Sequence, residues 1–546
     1  MTTTSTSPFR VAEAPSAPEV GQAPATPAGA VRDRRRRGRW IDEWEPENRD
    51  FWDRTGRAVA RKNLILSMFA EHVGFCVWVL WTIVVLNLGN IGIVLSVSEL
   101  FTLTLVPNLV GALLRIPYTL AVPRFGGRAW TTFSAALLFI PTLLLAVVVP
   151  SDWLAQQPHD VQFWVLLVCA ATAGFGGGNF ASSMANISFF YPERSKGLAL
   201  GLNAAGGNLG VAVAQLLVPL VIIVGVPAAA VKVMPHEVHL AYAGLMWMPL
   251  IALAVILSWY RMDSLTQAKS DTRSYLVCLR QRHTWIVSLL YIGTFGSFIG
   301  FSFALPLVIK TTFPEFLAAH PFVSTYLAGL AFVGALIGSL SRPLGGWLAD
   351  RIGGAQVTLW MFVGMVGCTF VAIRGVEAHS FALFFVSYMG IFLLAGMGNG
   401  SIYKMIPSIF ATLARRDSAE RGTDLATARL VFKRQAAAVI GIAGALGALG
   451  GVAIQVVLRQ ASLGVSSLVT AATTPEAKTA IAASHADWSV PALWVFLVSY
   501  LVFAAVTWTV YLRSPFAAEM RQQTGAAPAA SAGAGIVTVA TAGAPV

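Results

Sequence analysis

The sequence predicts an all-α membrane protein in which twelve transmembrane helices form two pseudo-symmetric six-helix halves. Three observations predict it. First, twelve apolar stretches are long enough to cross a bilayer, which takes about 20 residues each. They lie at roughly 64–86, 100–122, 131–150, 162–190, 198–224, 240–260, 284–308, 324–349, 356–373, 380–402, 434–458 and 489–512. Second, only 12% of the 546 residues are charged and the mean hydropathy is +0.67, against about 25% charged residues in soluble domains. Third, the second half of the chain repeats the first at an offset near 227 residues. No polar tract outside the tails is long enough to be a domain, so a soluble multidomain enzyme is excluded.

The N-terminal tail, 1–63, is polar. Its run Arg34-Arg35-Arg36-Arg37 is followed by no apolar core, so it is not a signal peptide. Its first 40 or so residues, rich in Ser, Thr, Pro and Ala, are expected to be disordered. The first half occupies 64–260, an interhalf loop 261–283, the second half 284–512. An Ala/Gly/Pro-rich tail, 513–546, is also expected to be disordered. The four cysteines show neither CxxC spacing nor an extracellular pair, so no disulfide, metal or cofactor is expected.

Charge sets the topology. An even number of spans puts both tails on one side. That side then holds 31 of the 38 Lys and Arg, and the other side five: Lys232, Lys310, Arg374, Arg459 and Lys478. Positive residues stay cytoplasmic, so both termini are expected inside. The net charge of +12 therefore reflects topology in a lipid bilayer and not a nucleic-acid surface.

The repeat is carried by motifs. Gly111-Ala-Leu-Leu-Arg115 matches Gly338-Ser-Leu-Ser-Arg342, and Arg124-Phe-Gly-Gly127 matches Arg351-Ile-Gly-Gly354. Span four carries Ala173-Gly174-Phe-Gly176-Gly-Gly178, span ten Ala395-Gly396-Met-Gly398-Asn-Gly400. Gly201, Gly207 and Gly210 of span five correspond to Gly441, Gly447 and Gly450 of span eleven. A six-plus-six parallel repeat is the major-facilitator architecture, with its substrate site near midplane between the halves. Gly346-Trp-Leu-Ala-Asp350-Arg351-Ile-Gly353 resembles that superfamily's loop motif. The first-half copy has Pro123 in place of Asp350.

Charged residues inside a bilayer are costly and point to function. Arg115 and Arg342 are the basic residues within spans, each about 10 Å from its cytoplasmic helix end at 1.5 Å per residue. One such arginine fits snorkelling to the surface; two at equivalent repeat positions point to one central site. Glu71 is the acidic residue well inside a span, and with His72 it lies about two turns into span one. It cannot neutralise two guanidiniums, so the centre is expected to be net positive and to take an anion. The planar fork of arginine suits a planar oxyanion, although charge alone would also allow sulfate.

Phe180, Tyr291 and Phe295 fall in glycine-rich segments of spans four and seven, where rings around a flat anion would sort it by thickness. With 59 aromatic residues in the chain, ordinary packing is the simpler reading from residues alone. The glycines of spans five and eleven are expected to allow close, sliding contacts between the halves. Asn203 and Asn208 add polar groups to span five.

Gly178-Asn-Phe-Ala-Ser-Ser-Met-Ala-Asn-Ile-Ser-Phe-Phe-Tyr-Pro192, followed by Gly201-Leu-Asn-Ala-Ala-Gly-Gly-Asn-Leu-Gly210, resembles the signature region of the NarK-type nitrate/nitrite porter family. Gly111-Ala-Leu-Leu-Arg-Ile-Pro-Tyr118, Tyr291-Ile-Gly-Thr-Phe-Gly-Ser-Phe-Ile-Gly-Phe301 and Gly441-Ile-Ala-Gly-Ala-Leu-Gly-Ala-Leu-Gly-Gly451 resemble it too, over about residues 60–512. The resemblance implies a nitrate and nitrite transporter of the inner membrane. It implies that Arg115 and Arg342 bind the anion, that Phe180, Tyr291 and Phe295 line the site, and that Asn208 belongs to the span-five signature.

Nitrate entry into a negative-inside cell is uphill by about 2.3 kcal/mol per charge per 100 mV. Proton symport, with Glu71 as carrier and His72 beside it, is placed slightly ahead of nitrate/nitrite exchange. A nitrate sensor without net transport is a remote alternative. A monomer is expected, and no enzyme constellation is present.

Overall fold

A helix crossing lipid satisfies its own backbone hydrogen bonds, and the chain uses that solution throughout. The structure is a computed structural model and describes residues 35–36, 39–225, 238–268, 276–471 and 486–525. Among these residues, twelve helices are long and apolar enough to cross a membrane. In the first half they are Arg49–Ile91, Val97–Phe125, Gly127–Val147, His159–Phe190, Arg194–Val221 and Tyr242–Arg261. In the second they are Arg282–Thr312, Ala328–Ile352, Gly354–Glu377, Phe381–Arg421, Leu425–Val465 and Asp487–Arg513. They are numbered spans 1 to 12. The end of the bundle at which span 1 starts and span 12 ends is called the tail side, the opposite end the far side.

The repeat is visible in the backbone. Spans 2 and 3 join at Gly126 (φ +83°), spans 8 and 9 at Gly353 (φ +93°). Both combine positive φ with extended ψ, 148° at Gly126 and 135° at Gly353, a conformation that glycine reaches readily because it has no Cβ. Span 2 starts at a capping box in which Ser96 and Glu99 satisfy each other's free backbone donors.

Several expected boundaries shift. Span 1 begins at Arg49, where the Asn48 side chain accepts from the Asp50 and Phe51 amides. Span 10 runs on to Arg421, well beyond 402. The C-terminal tail opens with a helix, Pro515–Gly525, which corrects the expectation of disorder from 513. Phe516 is buried against the His283 ring at 4.4 Å, and Glu519 pairs with Arg416 at 2.6 Å. Residues 526–546 lie outside the described residues.

In the N-terminal tail, β1 (Arg35–Arg36) pairs antiparallel with β2 (Trp40–Ile41), which pairs parallel with β3 (Ser264–Leu265). The expectation of disorder up to residue 40 therefore ends sooner, at β1; residues 1–34 lie outside the described residues. Asp263, fully buried, is the hub of this dock. It accepts from Lys62 at 2.5 Å, Asn63 at 3.0 Å and Arg39 at 3.0 Å. Burial alone would raise its pKa. The Lys62 and Asn63 hydrogen bonds, with the Lys62 and Arg39 charges, outweigh that and hold it below the ordinary carboxylate range.

Hydrogen bonds between the halves gather toward the far side. Thr104 donates to Gln455 at 2.6 Å, Arg459 to Thr102 at 2.9 Å and Gln215 to the Ser302 carbonyl at 2.7 Å. On the tail side, Leu198 and Leu202 of span 5 and Leu430 and Val431 of span 11 are exposed.

Candidate functional site

The two arginines come from equivalent turns of spans 2 and 8. Both are buried, Arg115 at 1% exposure and Arg342 at 5%. They meet around one ring: the Arg115 guanidinium carbon is 5.0 Å from the Phe295 centroid and that of Arg342 is 5.6 Å from it. Neither snorkels to the surface.

Each guanidinium is partly satisfied and partly free. Arg115 donates from Nη1 to the Gly444 carbonyl of span 11 at 2.7 Å, and from Nε to the Gly177 carbonyl of span 4 at 3.3 Å. Arg342 donates from Nη2 to the Tyr291 hydroxyl at 3.0 Å. Arg115 Nη2 and Arg342 Nη1 are buried without a partner, as are both polar atoms of Asn208. A buried donor without an acceptor costs about 1–3 kcal/mol, more when charged. The two free guanidinium nitrogens, on side chains that share the Phe295 ring, fit a small oxyanion.

The expected aromatics gather there. Phe180 from the first half and Phe295 from the second lie near parallel, 24° apart with centroids 5.9 Å apart. The Arg115 guanidinium sits over both. Tyr291 and Phe295 are parallel within 5°. A π-helical turn, Ile292–Gly296, carries Phe295; such turns often mark functional positions. Gly293 and Gly296 let Phe362, Phe503 and Gly450 approach it.

Two neighbours were not expected from the sequence. Tyr403 of span 10 stacks on Tyr291 at 5.0 Å and lies 5.8 Å from the Arg342 guanidinium carbon. Trp78 lies 5.7 Å from that of Arg115 and donates to the Pro107 carbonyl at 2.7 Å. Tyr403 follows the glycine tract of span 10 closely, which is the one signal that could have singled it out.

Glu71 sits beside this centre, in electrostatic contact with both arginines. It is buried and accepts from Asn203 at 2.9 Å. Asn203 also donates to Ser183, which bonds Ser67 at 2.9 Å. Lys62 is engaged by Asp263, so it does not serve as partner to Glu71. His72 is turned away to the Gly206 carbonyl, 2.9 Å from its Nδ1. A buried imidazole, His283, lies at the tail-side end of span 7 against Tyr511.

The glycine tracts need a correction: their close contacts fall mainly within halves, not between them. A Cβ on Gly207 would lie 2.2 Å from Glu71 Oε1, and one on Gly210 2.4 Å from the His72 carbonyl, both in span 1. Gly447 and Gly450 meet Tyr291 and Ile292 of span 7. Gly201 is exposed and touches nothing, and Gly441 is half-buried. These glycines draw span 5 onto span 1 and span 11 onto span 7, pulling each half tight around its own site residues. Within these tracts, the other half is met at Gly444, whose carbonyl accepts from Arg115, and at Gly451, which faces Asn108.

Among the described residues, no group of three His, Cys, Asp or Glu could hold a metal ion.

The sequence profile of the Major Facilitator Superfamily matches residues 64–454. The chain is 38% identical to the nitrate/nitrite transporter NarU of Escherichia coli (strain K12), over 87% of this chain and 97% of that one. It is 36% identical to the "Probable nitrate/nitrite antiporter NarK2" of Thermus thermophilus, over 68% of this chain and 84% of that one. Among solved structures, a D-xylose–proton symporter superposes with a TM-score of 0.57 at 16% identity, covering 82% of this chain and 97% of that one. This last likeness concerns the fold.

Proposed function

The chain belongs to the major facilitator superfamily and, within it, to the nitrate/nitrite porters, and from that premise we propose that it carries nitrate, and nitrite, across the bacterial cytoplasmic membrane. The observation that carries the reading is the pair Arg115 and Arg342. Equivalent positions of the two halves bring two buried guanidiniums to one ring, each with a nitrogen left unpartnered. Two planar forks around near-parallel Phe180 and Phe295 suit a flat monovalent oxyanion better than a tetrahedral one. The tail side is the cytoplasmic side by the distribution of Lys and Arg, so the conformation described is closed toward the outside.

Arg115 both faces the anion and ties span 2 to span 11 through Gly444. Loading the site and releasing one half from the other thus share one side chain, as alternating access requires. Uptake is coupled to protons through Glu71, a buried carboxylate in electrostatic contact with both arginines. Exchange for internal nitrite is the second reading, favoured by the antiporter named among the relatives. It moves no net charge and needs no titrating group.

The test uses proteoliposomes. Labelled nitrate uptake is driven either by an inward proton gradient with an empty lumen or by nitrite loaded inside. Symport predicts uptake in the first condition and its loss in Glu71→Gln. Uptake confined to the second condition assigns exchange and leaves Glu71 a structural role. Uptake in neither contradicts the transport reading.

A further inference from the structure

A cavity of about 220 Å³ lies between the halves on the far side. A single water's share is about 30 Å³, so there is room for a small hydrated ion. Spans 1, 5 and 7 and the residues leading into span 8 form its walls, and its polar side chains come from both halves: Asn87 and Asn90, Lys310, Ser324 and Thr325. Among the described residues, Lys310 is its one ionisable lining group. It follows Phe295 by fifteen residues, about 22 Å along span 7, so the cavity is separate from the arginine site.

Lys310 Nζ donates to the Leu86 carbonyl of span 1 at 2.5 Å, from one half to the other. That carbonyl satisfies one of the three ammonium donors and, being neutral, does not cancel the charge. No carboxylate among the described residues pairs with it. Lys310 is exposed, and a positive charge in a cleft raises the local concentration of counter-ions.

We propose that this cavity is a loading site for a small inorganic anion, with Lys310 as its cation. Lys310 holds the Leu86 carbonyl while the far side is closed and turns to the incoming anion when it opens. This rests on the reading of the chain as an anion carrier and adds a second anion site on its route.

The experiment measures initial rates of labelled nitrate transport from each side, in proteoliposomes of uniform orientation at low and high ionic strength. Lys310→Gln should raise KM for nitrate presented on the far side roughly tenfold and flatten its salt dependence. KM from the tail side should stay as in the wild type, and Lys310→Arg should restore the far-side value. Asn90→Asp, which places a negative charge on the same wall and keeps Lys310, should raise far-side KM as well. An unchanged far-side KM in Lys310→Gln, or a change in kcat alone, would overturn the loading site and leave Lys310 as a latch. Wild-type protein that moves no nitrate would overturn the carrier reading with it.

Discussion

Tyr291 holds Arg342 with a hydroxyl and supports Phe295 with its ring. Removing the hydroxyl frees a guanidinium nitrogen and lets the fork rotate. A hydrogen bond to a charged group contributes about 1.5–3 kcal/mol, and 1.4 kcal/mol is a factor of ten. Tyr291→Phe should therefore raise the nitrate KM roughly tenfold, read from uptake against concentration. The arginines were legible in the sequence because the repeat put two costly charges at equivalent turns. Tyr403 and Trp78 were not, because an aromatic that packs on a site residue looks in one dimension like one that packs anywhere. The π-helical turn behind Phe295 was hidden too: it changes the phase of the helix and leaves the composition unaltered.

At the scale of elements, Gly207, Gly210, Gly447 and Gly450 lie at close approaches, but the spacing of glycines does not reveal the partner surface. Small residues let any neighbour in, and the neighbours are spans 1 and 7 of the same half. A Cβ on Gly207 would overlap the Glu71 carboxyl. Overpacking of this kind costs about 1–3 kcal/mol, so Gly207→Ala should lower the thermal midpoint of the purified protein, and a midpoint equal to wild type would contradict this packing. The tail dock was invisible in the sequence because its hub joins Asp263 to Arg39 and Lys62, some two hundred residues away. Its pH response follows from the sign of one shift. Asp263 is held below its ordinary value, so its contribution is full above the unfolded pKa of about 3.9 and is lost as pH falls through the lower folded value. Asp263→Asn should cost about 2 kcal/mol at neutral pH. That is less than for a fully buried pair, because Lys62 and Arg39 keep about 30% of their side chains exposed. The variant's deficit relative to wild type should shrink below pH 4 in melting curves taken across the acid range, and a deficit independent of pH would count against the dock.

For the whole molecule, the sequence already held the twelve crossings, since the length of an apolar run and the placement of Lys and Arg answer to the bilayer directly. Which end is closed was not legible. That depends on pairs such as Thr104–Gln455 and Gln215–Ser302, whose members lie on different halves, far apart in the sequence. The site exists only because the halves meet: spans 2 and 4 supply Arg115 and Phe180, spans 7 and 8 supply Tyr291, Phe295 and Arg342. The most direct test of that shared site is equilibrium nitrate binding to purified protein, by calorimetry, for wild type, Arg115→Lys and Arg342→Lys. A lysine keeps the charge and loses the planar fork. The account predicts nitrate binding to the wild-type chain that is weakened at least roughly tenfold by either substitution alone. Wild-type affinity in either variant would show that the anion is not held between the two arginines.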